Sequence, residues 1–340
     1  MIKHGKMKST GRAFALLAAM LLLAACGAGM AAENGSGGGK AADGSRAAGG
    51  SGGARGGSGP DGAIRVVTTI AQIAEPLSVI GGDRVQVTSL MGPGVDPHLY
   101  KASQSDIRKL GSADVIFYSG LHLEANMLRA FEEIGKRRPV LAVGEAIAKD
   151  RLLTDATGAV DPHVWFDIDL WKEALGAAVE ELKKLSPDDA ELFEANKRDY
   201  FAKMDELKEE AVRKMASVPK ERRVLVTAHD AFGYFGRMLD LEVVGLQGLS
   251  TEDEIGLSDI ERTIDLLVER RVPAVFVESS INPKSIEAVI EGAKERGATV
   301  RLGGELFSDA MGGAGTVEGT YLGMFRHNVD TIFEALSGEG

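Results

Sequence analysis

Short apolar runs alternate with longer amphipathic stretches in the part of the chain that follows residue 62. Runs rich in β-branched and aromatic residues occupy 64–70, 85–90, 115–118 and 140–143, and a second set occupies 224–227, 243–246, 274–277 and 299–302. Stretches with helical periodicity separate them, for example 258–270 and 283–296. This alternation predicts βαβ units and hence parallel sheets. We therefore expect an α/β fold with two four-stranded parallel-sheet domains.

A single long helix is predicted between the two sets of strands. Ser186 is a suitable N-cap, Pro187 suits the first helical position, and Pro219 follows the end of the segment. Residues 187–217 would span about 45 Å at about 1.5 Å per residue. The predicted organisation is an N-terminal domain at 63–186, a rigid connecting helix at 187–217 and a C-terminal domain at 218–340.

The N-terminal residues have the pattern of an export signal. A basic segment precedes the apolar run 13–25, which is too short to span a bilayer. The run ends in Leu-Ala-Ala-Cys-Gly, which resembles the lipobox of bacterial lipoproteins, so residues 1–25 are predicted to be cleaved and Cys26 to be acylated. The alternative is an ordinary signal peptide with an incidental cysteine. Residues 26–62 are rich in Gly, Ser and Ala and predict a flexible tether to the outer face of the cell membrane.

The amino-acid composition and net charge argue against some classes of function. The chain of 340 residues has 44% hydrophobic residues and a formal net charge of -11, which argues against nucleic acid as a partner because phosphates require a basic surface. Cys26 is the only cysteine, so no disulfide can form within the chain.

The tripeptide Asp-Pro-His occurs twice, at residues 96–98 and 161–163. Pro restricts the backbone just before the imidazole, and Asp96 or Asp161 could accept a hydrogen bond that orients the ring of His98 or His163 for metal binding. The alternative is two loop turns with histidines facing solvent.

Two more candidate ligands follow predicted strands. His229 comes after the run 224–227, and Asp309 lies a few residues past the run 299–302. Ligands of open parallel sheets bind beyond the carboxyl ends of the strands, so these residues could converge with His98 and His163 between two domains. Taken alone, His229 could also be a buried or capping histidine, and Asp309 could be a turn former. Three imidazoles and one carboxylate suit Zn2+ and can bind Mn2+.

Three further residues are candidates for supporting this site. His122 and Glu124 follow the strand that ends at residue 118, and they belong either to the ligand pocket or to ordinary loop packing. Glu278 ends a predicted strand of the second set and could bind a ligating histidine.

The sequence resembles the TroA-like receptors of bacterial zinc and manganese ABC transporters throughout the part after the tether. The matching motifs are GVDPHLY at 94–100, GLHLE at 120–124, DPHVWFD at 161–167, TAHDAFGYF at 227–235, FVESSI at 276–281 and GGELFSDAMG at 303–312. The resemblance implies two ligands from each domain, and these are His98, His163, His229 and Asp309 in this chain.

The resemblance also implies a function and a choice of metal. A histidine at the third ligand position favours zinc, whereas the absence of histidine from residues 144–160 weakens a zinc-only interpretation. We expect a monomeric, non-catalytic lipoprotein that binds one Zn2+ or Mn2+ and delivers it to a membrane permease powered by an ATPase. The alternatives are an exported zinc hydrolase, with Asp309 or Glu278 as general base, and a metal-binding surface adhesin.

Overall fold

The computed structural model describes residue 59 and residues 62–338. The predicted signal segment 1–25, the predicted lipidation site Cys26 and nearly all of the predicted tether lie outside the described residues. Within the described part, no helix has both the length and the apolarity needed to cross a membrane.

The N-terminal half, residues 63–186, contains one parallel sheet. Its strands are β1 (Ile64–Thr68), β2 (Val85–Ser89), β3 (Val115–Tyr118) and β4 (Val140–Ala142), in the spatial order β2-β1-β3-β4. The central strands β1 and β3 are buried on both faces, whereas the edge strand β2 alternates in exposure. The helices of this half are α1 (Ala71–Gly81), α2 (Gln104–Ser112), α3 (Leu128–Gly135) and α4 (Ile168–Leu185). This arrangement confirms the predicted parallel α/β fold.

The predicted connecting helix is present as α5 (Ala190–Ala216), which has 27 residues. A short turn, Pro187–Asp189, precedes it. The hydroxyl of Ser186 donates to the Asp189 carboxylate at 2.7 Å and makes no capping bond to the backbone. The helix therefore starts about one turn later than the sequence predicts.

The C-terminal half, residues 218–338, contains β5 (Val224–His229), β6 (Glu242–Gln247), β7 (Ala274–Glu278) and β8 (Arg301–Leu306), together with α6 (Gly233–Leu239), α7 (Leu257–Arg270), α8 (Lys284–Glu295) and α9 (Tyr321–Ser337). The strands form two parallel pairs, β5–β6 and β7–β8, and β5 and β7 are neighbours. The four predicted strands therefore lie side by side as two hydrogen-bonded pairs. The last strand differs from the predicted run 299–302, because its pairing with β7 begins at Arg301 opposite Ala274 and extends to Leu306, with a register shift between Val275 and Phe276.

The two halves share an apolar core. Phe166 of the N-terminal half stacks on Phe232 of the C-terminal half with ring centroids 4.7 Å apart, and Phe235 and Phe325 pack around the pair. Helix α5 packs against α1 and α4 on one side and against α6 and α9 on the other. A large apolar interface restricts the relative motion of two such parts, which agrees with a rigid connection.

Candidate metal site

Four buried side chains meet between the halves. His98 and His163 come from loops of the N-terminal half, His229 is the last residue of β5, and Asp309 lies three residues beyond the end of β8. One ligand atom from each of the four lies within 4.8 Å of the others. The structure therefore brings together all four residues that the sequence predicts as ligands.

The distances among the donor atoms fit a small metal ion. Nε2 of His163 lies 3.4 Å from Nε2 of His98 and 3.4 Å from Nε2 of His229. The Asp309 carboxylate lies 3.3 Å from His163, 3.4 Å from His229 and 3.8 Å from His98. A tetrahedral ion with bonds of about 2.0–2.1 Å would separate its ligands by about 3.3–3.4 Å. The cluster is close to that geometry, with His98 slightly displaced from the carboxylate.

His163 is oriented by the aspartate of its own tripeptide. Oδ1 of Asp161 accepts hydrogen bonds from the His163 backbone amide at 2.9 Å and from ring Nδ1 at 2.8 Å. With Nδ1 donating, the lone pair of Nε2 points toward the other donors, as a ligating imidazole requires. The sequence predicts this role for Asp161.

His229 has an equivalent partner in Glu278, the last residue of β7. The Glu278 carboxylate accepts a hydrogen bond from the His229 backbone amide at 2.9 Å, and its other oxygen lies 2.6 Å from ring Nδ1. Because β5 and β7 are neighbours and the two residues end these strands, His229 and Glu278 lie side by side. The expected contact between Glu278 and a candidate ligand is present.

His98 is held differently. Oδ1 of Asp96 accepts the His98 backbone amide at 2.8 Å, but Oδ2 accepts a hydrogen bond from the Thr251 hydroxyl in the C-terminal half at 2.6 Å. Asn126 donates to the carbonyl of His98 at 2.8 Å and to Glu252 at 3.1 Å. Asp96 therefore fixes the loop of His98 across the two halves and leaves the ring without the carboxylate contact that His163 has.

The environment gives the four groups different affinities for protons. Burial lowers the pKa of His98 to about 4, and the attraction of Asp309 is too weak to reverse this. Burial also opposes protonation of His163, but its contacts with Asp161 and Asp309 prevail and raise its pKa to about 10. For His229, burial is outweighed by the charges of Glu278 and Asp309, so its pKa is raised. Burial disfavours the Asp309 carboxylate, yet the three rings hold the pKa of that carboxyl well below its ordinary value.

Two of the predicted supporting residues lie apart from the cluster. His122 is exposed and has a positive φ of 70°, so the structure does not bring it to the ligands. Glu124 is buried, but its carboxylate accepts hydrogen bonds from the hydroxyl of Thr69 and from the amides of Ser119 and Gly120. Glu124 thus organises the loop after β3.

Sequence reasoning missed several residues that shape the site. The Tyr234 hydroxyl donates to the carbonyl of Asp161 at 3.1 Å, and a Cβ added at Gly233 would lie only 2.8 Å from the Asp161 carboxylate. Thr251 binds Asp96 from more than 150 positions away in the chain. The motif at 227–235 could have indicated Tyr234 and Gly233, because both residues lie within it. No motif near Thr251 indicates its contact with Asp96.

Fold and site together define a two-part α/β protein with a donor set suited to a transition-metal ion. The chain belongs to the family described as ZnuA, zinc-uptake complex component A, periplasmic, which matches residues 66–335. This finding confirms the predicted resemblance to TroA-like receptors.

Known relatives support this assignment along most of the chain. The manganese-binding lipoprotein MntA of Bacillus subtilis is 52% identical over 277 residues, covering 81% of this chain and 90% of that protein. The zinc-binding protein TroA of Treponema pallidum is 48% identical over 277 residues, covering 82% and 90%. The solved structure of the periplasmic zinc-binding protein TroA from Treponema pallidum has a TM-score of 0.79 at 48% identity, covering 81% of this chain and 99% of that chain.

Proposed function

We propose that this chain is the extracytoplasmic receptor of a metal ABC transporter and binds one Zn2+ or Mn2+ through His98, His163, His229 and Asp309. The convergence of these four buried donor groups carries the proposal. Three imidazoles and a carboxylate form a set that both ions accept. MntA and TroA, the relatives described above, are named for manganese and zinc respectively.

The two-part architecture suits reversible capture. Each half supplies two of the four proposed ligands, so bound metal would link the predicted domain at 63–186 to the predicted domain at 218–340. An ion bound in this way can be released when the halves separate slightly, because no single half retains all of its ligands. We propose that release occurs at a membrane permease driven by an ATPase.

The proposed location follows from the N-terminal residues. Cleavage after residue 25 would leave Cys26 as an acylated N-terminus, and residues 26–62 would tether a monomeric binding domain to the outer face of the membrane. MntA of Bacillus subtilis is itself named a lipoprotein, which supports this part of the proposal.

The contacts at the site favour binding over catalysis. Asp161 and Glu278 are both engaged by histidine rings and backbone amides, and the rings and carboxylate of the cluster are buried. A hydrolase would require an open coordination position beside a carboxylate that is free to move a proton. We therefore propose that the chain catalyses no reaction.

Metal retention and thermal unfolding test the proposal together. The purified chain, stripped with a chelator and then titrated, should bind one equivalent of Zn2+ or Mn2+ by elemental analysis. Because the ion binds only the folded state, it should stabilise that state by about 2.7 kcal/mol at a 100-fold excess over Kd and raise the melting temperature. A chain that binds neither ion, or whose melting temperature does not change, would exclude the function.

A further inference from the structure

Gln72 is a fully buried polar residue on an otherwise apolar helix face. It lies in the first turn of α1 and shares the four-residue spacing of Pro76 and Ile80, which places all three on the buried side. Although α1 belongs to the N-terminal half, Nε2 of Gln72 donates to the carbonyl of Ser308 at 3.2 Å and to that of Asp309 at 3.0 Å. One amide group of the N-terminal half therefore binds the backbone that carries a proposed ligand of the other half.

The backbone of the 307–309 segment is held by two amide side chains. Asn328 of α9 accepts the amide of Phe307 at 2.9 Å and donates to its carbonyl at 2.7 Å. Gln72 binds the next two carbonyls. The Asp309 carboxylate itself accepts no hydrogen bond from a described residue outside the histidine cluster. Its position relative to the rings is consequently set by its backbone.

The orientation of the Gln72 amide is fixed by its partners. Only the nitrogen of a glutamine amide can donate, and rotation by 180° would direct the oxygen at two carbonyl oxygens. The side chain is fully buried, so water does not replace these bonds readily. Metal sites require their ligands to be held within about 0.5 Å of the productive position, and hydrogen bonds to the surrounding residues help to hold them there.

We propose that Gln72 is a positioning residue that sets the place of the Asp309 carboxylate relative to the three histidines. Through these bonds, the packing of α1 against the C-terminal half affects the arrangement of the proposed metal ligands. The inference rests on the proposed function, because it requires that Asp309 binds the ion.

Cobalt titration of the full chain tests this role, because the visible d–d absorption of Co2+ reports ligand geometry directly. The first variant is Gln72→Met, which keeps the length of the side chain and removes the donor. The matched control is Asn196→Leu, which removes another amide-to-carbonyl bond to α1, that of Asn196 to the carbonyl of Ile80 at 2.9 Å, away from the proposed ligands.

Gln72→Met should weaken Co2+ binding by about 10- to 100-fold, the range for groups that orient metal ligands, and should change the d–d spectrum. Asn196→Leu should keep the spectrum of the unmodified chain and a Kd within about threefold of it. An unchanged spectrum in Gln72→Met, or an equal loss in both variants without spectral change, would overturn the inference.

A second variant covers the case in which Gln72→Met does not fold. Gln72→Asn keeps the amide but is one methylene shorter, so it must shift the 307–309 segment or lose contact with it. A shifted d–d spectrum is expected, and a spectrum identical to that of the unmodified chain would contradict the proposal. Failure of the unmodified chain to bind Co2+ is a different result, because it would reject the metal site itself.

Discussion

The two Asp-Pro-His segments have the same sequence but differ in what their aspartates contact. Asp161 binds both the backbone and the ring of His163 through one oxygen. Asp96 binds only the backbone of His98 and uses its second oxygen for Thr251 in the other half. Asp161 thus orients the ring of one proposed ligand, and Asp96 connects the loop of another to the opposite half.

The two histidines, both proposed ligands, also differ in burial, distance to the other donors and pKa. His163 is fully buried, lies within 3.4 Å of each of the other three donors, and has a pKa raised to about 10. His98 is 4% exposed, lies 3.8 Å from Asp309, and has a pKa lowered to about 4. We therefore expect His163 to contribute more to ion binding than His98, because its Nε2 lies nearer to the other donors.

The largest expected effect comes from removing each histidine in turn. His163→Ala should lower the affinity for Zn2+ by well over about 100-fold, because ligand loss exceeds the cost of losing a partner that orients a ligand. His98→Ala should retain at least about tenfold higher affinity than His163→Ala, because it keeps His163, whose Nε2 lies within 3.4 Å of each of the other donors. Competition with a chelator of known affinity measures both. Equal losses of affinity in the two variants would contradict the expected difference between His163 and His98.

The aspartates themselves give the next largest difference. Asp161→Asn should cost about 10- to 100-fold in affinity, since the neutral amide removes the negative charge that holds the ring proton on Nδ1 of His163. Asp96→Asn should cost less than about tenfold, because the oxygen that accepts the His98 amide can remain. Both variants should be compared in the same chelator assay. A larger loss in Asp96→Asn would reverse the assigned roles.

The pH dependence of binding distinguishes the two rings. In the metal-free chain His163 is protonated below its pKa of about 10, and the ion must displace that proton. Raising the pH from 6 to 8 should therefore increase affinity, by about tenfold per pH unit for each displaced proton. His98, with a pKa of about 4, is already neutral in this range and should contribute nothing to the slope.

Variants of His98 and Asp161 test the same assignment further. His98→Ala should keep the slope of affinity against pH, whereas Asp161→Asn should reduce it because the contact that raises the pKa of His163 is lost. Calorimetry in two buffers of different ionisation enthalpy would count the released protons. Affinity that does not change between pH 6 and 8 would contradict the assigned protonation.

The smallest expected effect concerns the contact between the halves at Asp96. Thr251→Val keeps the shape of the side chain and removes one hydrogen bond, so the dissociation rate of the ion should rise by about 2- to 10-fold. Thr263→Val is the matched control, because the Thr263 hydroxyl donates to the carbonyl of Asp259 within α7. Stopped-flow exchange with a chelator measures both rates. A similar change in the control would mean that the effect is not local to His98.

Much of the fold follows from local sequence pattern. All eight strands overlap the apolar runs that predict them, and burial on both faces makes this signal clearest for β1, β3, β5 and β7. The connecting helix is also present, although it starts about one turn later than predicted. The predicted bounds of β8 are wrong at both ends, and its end is missed because the strand continues through Gly303 and Gly304, which carry no apolar side chain to reveal it. The pairing of the last four strands as two pairs also depends on tertiary contacts.

The contacts of the site that could be predicted are those indicated by a short motif or by the position of strand ends. Asp161 was placed correctly beside His163 because the contact spans two positions, and Glu278 because strand ends meet at one edge. Thr251 and Gln72 were missed because each acts on a segment more than 150 positions away. Of the two alternatives for His122, the structure does not place the side chain in the ligand pocket, since strand-end placement does not fix the direction of a side chain in a turn with positive φ.

X-ray absorption at the zinc edge of the loaded chain identifies the atoms bound to the ion. We expect one ion per chain with three imidazole nitrogens at about 2.0–2.1 Å and carboxylate oxygen at about 2.0–2.2 Å. The imidazole scattering should decrease by one ring in His163→Ala. A shell with fewer than three imidazoles, or with sulfur at about 2.3 Å, would contradict the proposed ligands.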